Sequence, residues 1–195
     1  MSKDIIYILF AYLVGSIPFG LLLAIFFGNG KLREIGSKNI GATNVLRTQG
    51  KCLGILTFLL DFLKGYAVFH YICPDNELAS PALLMAPVLG HMFPPWLKFN
   101  GGKGVASYFG VLCALDVRVF LIALFIWIII FFIWKISSVS SLISICMSSL
   151  FFYYLNHSHL LFINHLCALI ILSIIIVVRH HENIKRLLQD KELNT

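Results

Sequence analysis

Val119-Phe120-Leu121-Ile122-Ala123-Leu124-Phe125-Ile126-Trp127-Ile128-Ile129-Ile130-Phe131-Phe132-Ile133-Trp134 carries no charged, amide or hydroxyl side chain. A helix rises about 1.5 Å per residue, so this run crosses most of the roughly 30 Å hydrocarbon core of a bilayer. It is apolar on every side and has no face to turn to water, which excludes a surface helix of a soluble domain. Outward from it, apolar runs broken by polar or turn residues cover 4–27, 53–72, 81–97, 104–115, 139–155 and 163–178. Over the whole chain of 195 residues, 59% of side chains are apolar, 12% are charged and the mean hydropathy is +0.89. That mixture leaves little for a separate soluble domain. The expectation is an all-α integral membrane protein, one domain over 1–195, folded as a bundle of about seven transmembrane helices.

One of these is short or broken. Residues 104–115 cannot cross alone, and Gly101, Gly102 and Gly104 before them predict a broken or re-entrant helix lining a polar cavity. The segment from Ile5 to Phe27 has no strongly basic start and no small-residue cleavage site, so it is read as a retained span. Gly15, Ser16, Pro18 and Gly20 inside it fit a kink or close helix packing. Cys52, Cys73, Cys113, Cys146 and Cys167 form no C-x-x-C pair and are read as small buried apolar residues, with no disulfide framework and no metal.

Charge placement gives an independent orientation, because basic residues near span ends collect on the cytoplasmic side. With the N-terminus outside and the C-terminus cytoplasmic, all of the 15 Lys and Arg residues except Lys3, Lys64 and Arg118 fall on the cytoplasmic face. Asp75, Glu77 and Asp116 fall in the external loops. The formal net charge of +6 is accounted for in part by this signal and by attraction to anionic lipid, above all for Lys185, Arg186 and Lys191. No nucleic-acid partner is expected.

Two polar stretches lie on the predicted cytoplasmic face. Gly36-Ser37-Lys38-Asn39-Ile40-Gly41-Ala42-Thr43-Asn44-Val45-Leu46-Arg47 crowds hydroxyl, amide and guanidinium donors among glycines, a composition suited to a phosphate. Gly90-His91 opens the second, which continues through Pro94-Pro95 to Gly101-Gly102-Lys103-Gly104 and an apolar helix. A flexible backbone, a cation and a helix N-terminus there all favour an anion. This is not a Walker A loop, which needs G-x-x-x-x-G-K-[ST] after a strand.

Other polar groups are more equivocal in sequence. Asp61 and Lys64, at i and i+3, are costly in hydrocarbon unless they pair with each other or face a polar cavity, and both readings stand. His180 and Asn183 share a helical face just past the last span, as interfacial anchors or as site residues. His157, His159 and His165 lack a carboxylate or cysteine to complete a metal set and are read as loop residues.

Together these motifs resemble the bacterial acyl-phosphate:glycerol-3-phosphate acyltransferases of the PlsY type. Gly15 to Gly20 is similar to that family's G-S-x-P-x-G, Gly36 to Arg47 to its G-S-x-N-x-G-A-T-N-x-x-R, and Gly90 to Ala106 to its G-H-x-x-P…G-G-K-G-V-A. Arg179-His180-His181-Glu182-Asn183-Ile184 is similar to its R-H-x-x-N-I. Lys38 stands where that pattern usually has glycine, and Ser107 where threonine is common. The resemblance implies acyl transfer from acyl phosphate to the 1-hydroxyl of glycerol 3-phosphate, giving lysophosphatidic acid and phosphate, the first acylation of phospholipid synthesis. It implies a site at the cytoplasmic side of a bacterial inner membrane, fed by an acyl-phosphate-forming enzyme and needing no cofactor. By motif position Ser37, Arg47, Lys103, Ser138, His180 and Asn183 would be the catalytic set, Ser138 by a local match over Ser137 to Ser140. Gly36, Asn39, Gly41, Thr43, Asn44, Gly90, His91, Gly101, Gly102 and Gly104 would surround the phosphates.

The chemistry suits those residues. An acyl phosphate already carries a good leaving group, so a protein mainly has to orient two anions and offset their repulsion, as Lys103 and Arg47 can. His180 would act as general base or would orient the hydroxyl while the acyl phosphate takes the proton. No H-x-x-x-x-D pair begins at His91, His180 or His181, which argues against the mechanism of soluble-headed acyltransferases. A phosphate or organic-anion transporter would also gather Lys, Arg and glycine, but no internal repeat is present and the polar groups lie at one face instead of the midplane. Transfer from acyl-CoA or acyl carrier protein is disfavoured only by the resemblance.

Overall fold

The computed structural model describes residues 2–72, 80–157 and 162–192. Cys73, Asp75, Glu77 and His159 lie outside them. Among the described residues there is no strand. The helices are α1 (Ser2–Gly15), α2 (Phe19–Phe27), α3 (Ala42–Gln49), α4 (Lys51–Ile72), α5 (Pro81–Met92), α6 (Val105–Leu115), α7 (Val117–Trp134), α8 (Ser137–Asn156), α9 (Phe162–Arg179) and α10 (His181–Leu187).

Five segments are long and apolar enough to cross a membrane: Asp4–Phe27, Lys51–Tyr71, Val117–Trp134, Ser137–Asn156 and Phe162–Arg179. Helix α7 has a mean hydropathy of 2.8, yet only 11% of it is buried inside the protein. Phe125, Phe132 and Ile133 stand exposed on it, an arrangement tolerable only where lipid covers them. The core instead gathers where α6 passes through the middle of the bundle, with Tyr108, Phe109, Val111 and Leu112 buried against residues of α4, α5 and α9.

Helices approach most closely at reciprocal glycines. A Cβ on Gly15 would lie 2.3 Å from the Pro87 carbonyl oxygen, and one on Gly90 would lie 2.2 Å from that of Tyr12, so α1 and α5 cross backbone to backbone. Gly65 and Gly110 do the same for α4 and α6. In lipid, where burying apolar surface drives little association, such contact is a main source of helix pairing. Gly90 is therefore a packing residue of α5.

Two segments depart from the sequence expectation, while 4–27 keeps to it as one candidate span with a break where a kink is expected: α1 ends at Gly15 and α2 begins at Phe19, because Pro18 cannot donate a helical hydrogen bond. The expected span 81–97 stops as a helix at Met92, since Pro94 and Pro95 follow; a 3-10 turn occupies Pro95–Leu97. The polar stretch 36–47 is half helix, as α3 starts immediately after Gly41. Two residue-level expectations also fail. Cys52, Cys146 and Cys167 are exposed on outer helix faces, where apolar thiols meet lipid, and are not buried. His165 is a buried residue of α9 and not part of a loop, whereas His157 closes α8 in a turn.

The bundle has two chemically distinct ends. At one, Asp116 caps α7, accepting from the Arg118 and Val119 amides at 2.9 and 3.4 Å, and receives the Asn156 amide at 2.9 Å. At the other lie α3, the loop from Lys98 to Gly104, the start of α8, the end of α9 and α10.

Candidate active site

The loop before α3 is shaped by one buried amide. Asn44, 2% exposed, accepts the Ser37 N–H at 2.8 Å and donates to the carbonyls of Leu32 and Asn39 at 3.0 and 2.9 Å. Asn39 in turn accepts the Gly41 N–H at 2.8 Å. Asn44 and Gly41 thus fold the loop, while Ser37, Lys38 and Asn39 line an open polar cavity. The turn drives Gly36 and Lys38 to positive φ, 61° and 59°. Thr43 bonds Ser137 at 3.1 Å, tying the start of α3 to the start of α8.

The second loop forms the opposite wall. The N–H groups of Gly101 and Gly102 donate to the Met92 and His91 carbonyls at 3.0 Å each, so these glycines do not offer their amides to a ligand. They are glycines because of what lies beneath: a Cβ on Gly102 would fall 2.0 Å from His91 Nε2. Gly104, at φ 87°, turns the chain into α6. His91 is itself buried under the loop. Its Nδ1 lies 2.8 Å from the Lys64 ammonium, which pairs with Asp61 at 2.7 Å and donates to the Ile17 carbonyl at 3.0 Å. The Asp61–Lys64 pair is therefore mutual, and with His91 it supports the loop from within the bundle.

Above that floor the ionic groups converge. Lys103 donates to the Asn183 side-chain oxygen, and Asn183 donates through its nitrogen to Glu192 at 2.5 Å. Glu192 also accepts Ser138 Oγ at 3.0 Å and Arg186 Nε at 2.7 Å. Arg47, half-buried on α3, lies close enough for its charge to bear on Glu192, Arg186 and Lys103. Burial, then the neighbouring Arg186, Arg47 and Arg179, holds the Lys103 ammonium down to about 8, although Glu192 offsets part of this. Burial alone would raise the Glu192 carboxyl, but hydrogen bonds from Asn183, Arg186 and Ser138 outweigh it and hold it below the usual carboxylate range.

His180 sits one turn from Asn183, 2% exposed. Burial, then the Lys103 charge, lowers its imidazole to about 4, so it is neutral at physiological pH. Its Nδ1 is 2.8 Å from the Ile176 carbonyl, which can only accept. The ring proton therefore sits on Nδ1, and Nε2 presents a lone pair.

The profile of the glycerol-3-phosphate acyltransferase family matches residues 5–190. A glycerol-3-phosphate acyltransferase of Wolbachia pipientis subsp. Culex pipiens is 43% identical over 195 residues, covering 98% of each chain. One of Bartonella henselae is 45% identical over 190 residues, 94% of this chain and 88% of its own. This chain belongs to the glycerol-3-phosphate acyltransferase family. Its fold is similar to the crystal structure of PlsY (YgiH), an integral membrane glycerol 3-phosphate acyltransferase, in its glycerol 3-phosphate form: TM-score 0.90, 37% identity, 98% of this chain and 95% of that one. The lysophosphatidic acid form of PlsY superposes with a TM-score of 0.85.

Within this family member, Ser37, Asn39, Gly101, Lys103 and Asn183 line the open cavity, while Arg47, Ser138 and His180 stand behind it. Gly36, Gly41, Thr43, Asn44, Gly90, His91, Gly102 and Gly104 support its walls and do not line it. Sequence reasoning passed over Glu192, Arg186 and Arg33. The two arginines had been absorbed into the orientation signal, and a lone carboxylate in the final residues has no spacing to betray it.

Proposed function

We propose that this chain transfers a fatty acyl group from acyl phosphate to the 1-hydroxyl of glycerol 3-phosphate, giving lysophosphatidic acid and inorganic phosphate. The observation that carries the reading is the convergence on one anion, the Glu192 carboxylate, of hydrogen bonds from Arg186, Ser138 and Asn183 and of the nearby charges of Lys103 and Arg47, beside a neutral imidazole. A group of donors and cations that holds a carboxylate suits a phosphate. Both phosphates of the reaction need such a setting, since their mutual repulsion opposes approach of the hydroxyl to the acyl carbon.

In the proposed step the glycerol 1-oxygen attacks the acyl carbonyl carbon, the C–O bond to phosphate breaks, and phosphate leaves with the electron pair. His180 Nε2 accepts the hydroxyl hydrogen bond and orients the attack. An imidazole at about 4 is too weak a base to keep the proton, which passes to the departing phosphate. Lys103 and Arg47 stabilise charge on the leaving group. Ser37 and Asn39, on the solvent side, bind the glycerol 3-phosphate that enters from the cytosol.

The topology belongs to the same reading: about seven crossings, α5 and α6 being short ones, with the N-terminus outside and the site at the cytoplasmic face of a bacterial inner membrane. The basic loops support this, as do Trp96, Phe99 and Trp134, exposed at the site's end of the bundle like residues of an interfacial belt. The deciding experiment supplies purified protein with labelled glycerol 3-phosphate and, separately, acyl phosphate, acyl-CoA or acyl carrier protein. Lysophosphatidic acid should form with acyl phosphate alone. Equal rates with a thioester donor would overturn the donor assignment.

A further inference from the structure

We infer that Arg33 and Arg179 are positioning residues that clamp the three carbonyls preceding Lys103, an inference that rests on the proposed phosphate-binding role of Lys103. The carbonyls of Asn100, Gly101 and Gly102 follow one another along the cavity wall. Arg33 Nη2 donates to Asn100 O at 2.7 Å. Arg179 Nη2 donates to Gly101 O at 2.9 Å and to Gly102 O at 3.2 Å, with its Nε also directed at Gly102 O at 3.3 Å. On the other side of the segment the Gly101 and Gly102 N–H groups are held by Met92 and His91. Gly101 and Gly102 are thus fixed through both their N–H and their C=O.

Two physical consequences follow. Carbonyl oxygens are the negative ends of peptide dipoles, and a row of them beside a phosphate would repel it; a guanidinium on each removes that opposition. Two successive glycines have no side chains to restrain their backbone, so without the clamp Lys103 would be held less firmly. Arg179 itself lies over the Phe93 ring, its guanidinium carbon 5.4 Å from the centroid. The floor is equally firm, because the His91 ring lies directly against Gly102.

The geometry makes the two arginines unequal under conservative exchange. Arg33 serves one carbonyl, which a lysine ammonium can also reach; Arg179 spans two with a planar fork, which an ammonium cannot reproduce. Arg33→Lys should therefore keep kcat/KM for glycerol 3-phosphate within about twofold of wild type, while Arg179→Lys should lower it roughly tenfold, the loss of a charged hydrogen bond. On a Lys103→Ala background, Arg179→Lys should cost less than about twofold, since the residue it positions is gone. Amide exchange of residues 103–105 should quicken in Arg179→Lys and stay unchanged in Arg33→Lys, a readout independent of turnover. Equal rescue by lysine at both positions, or a full additional loss on the Lys103→Ala background, would overturn the clamp, as would an Arg179→Lys protein that does not fold. If wild type transfers no acyl group from any donor, the proposed function fails, and the exchange measurement still decides the clamp.

Discussion

Raising the pH through 8 should switch off the cation on which the proposed phosphate capture depends. Lys103, titrating at about 8, is about nine-tenths protonated at pH 7 and about one-tenth at pH 9. The protonated lysine is the charged form, so charge is lost as pH rises, and the depressed pKa brings that loss down to about 8. The second ionisation of a phosphate monoester lies near 6, so glycerol 3-phosphate stays a dianion across this window. With acyl phosphate far below saturation in detergent micelles, kcat/KM for acyl phosphate should fall by about an order of magnitude between pH 7 and 9, measured as initial rates of labelled lysophosphatidic acid. The limb in kcat should lie at higher pH, because a bound dianion favours the ammonium. Lys103→Arg keeps its charge throughout, so whatever activity it retains should lack the limb; His180→Gln should keep it. A flat wild-type profile from pH 7 to 9.5, or a limb that persists in Lys103→Arg, would refute the assignment of Lys103 and the environment described for it.

Lys103→Ala and Arg47→Ala should each lower acyl transfer at least about tenfold, the value of a charged hydrogen bond in a partly dehydrated site; Arg118→Ala, exposed at the opposite end, should match wild type in the same assay. Glu192→Gln removes the negative charge and one of the two oxygens that accept from Ser138, Asn183 and Arg186; we expect a fall in kcat of roughly tenfold or more, with Glu192→Asp intermediate, in steady-state kinetics. Lys38→Gly relieves a left-handed backbone at φ 59° and should raise stability by about 1 kcal/mol, read as thermal unfolding in detergent. In intact cells of a cysteine-free background, cysteines placed at Asn39 and Lys103 should resist a membrane-impermeant thiol reagent; labelling at either from outside would invert the topology.

Most of the helical framework was legible because lipid demands long apolar runs. The runs at 53–72, 119–134, 139–155 and 163–178 return as α4, α7, α8 and α9 with ends shifted by a residue or two. What hydropathy does not register is local backbone chemistry. Over 4–27, Gly15, Ser16 and Pro18 barely lower the mean, and it is their identity that marks the kink where Pro18 ends the hydrogen-bond ladder. Helix α3 was hidden for the opposite reason, since eight residues rich in Thr, Asn and Arg look like loop until Gly41 is seen to open a helix. Around the cavity, the motifs named Ser37, Lys103 and Asn183, which the fold brings to one lining, and His180 behind it, but not the division of labour around them. Asn44 and His91 carry the same donor chemistry as lining residues, and only packing turns them inward. Glu192 was invisible because its meaning lies in its three partners, none of which is near it in any recognisable spacing.

The break between α1 and α2 also constrains how the chain is put into the membrane. Of the carbonyls at the break, Ser16 O is answered from far downstream, by Trp96 Nε1 at 2.7 Å, 80 residues on; Ile17 O takes the Phe19 N–H at 3.1 Å and, 47 residues on, the Lys64 ammonium as well. A bare carbonyl in hydrocarbon costs several kcal/mol. This segment, made before the loop beyond α5, therefore cannot settle in its final shape alone. It has to wait as a straight helix, or at the protein-lined wall of the insertion machinery, until the loop beyond α5 has been made. Biogenesis of this protein is on that account a late, concerted closing of early and middle segments, not a sequence of finished helices added one by one.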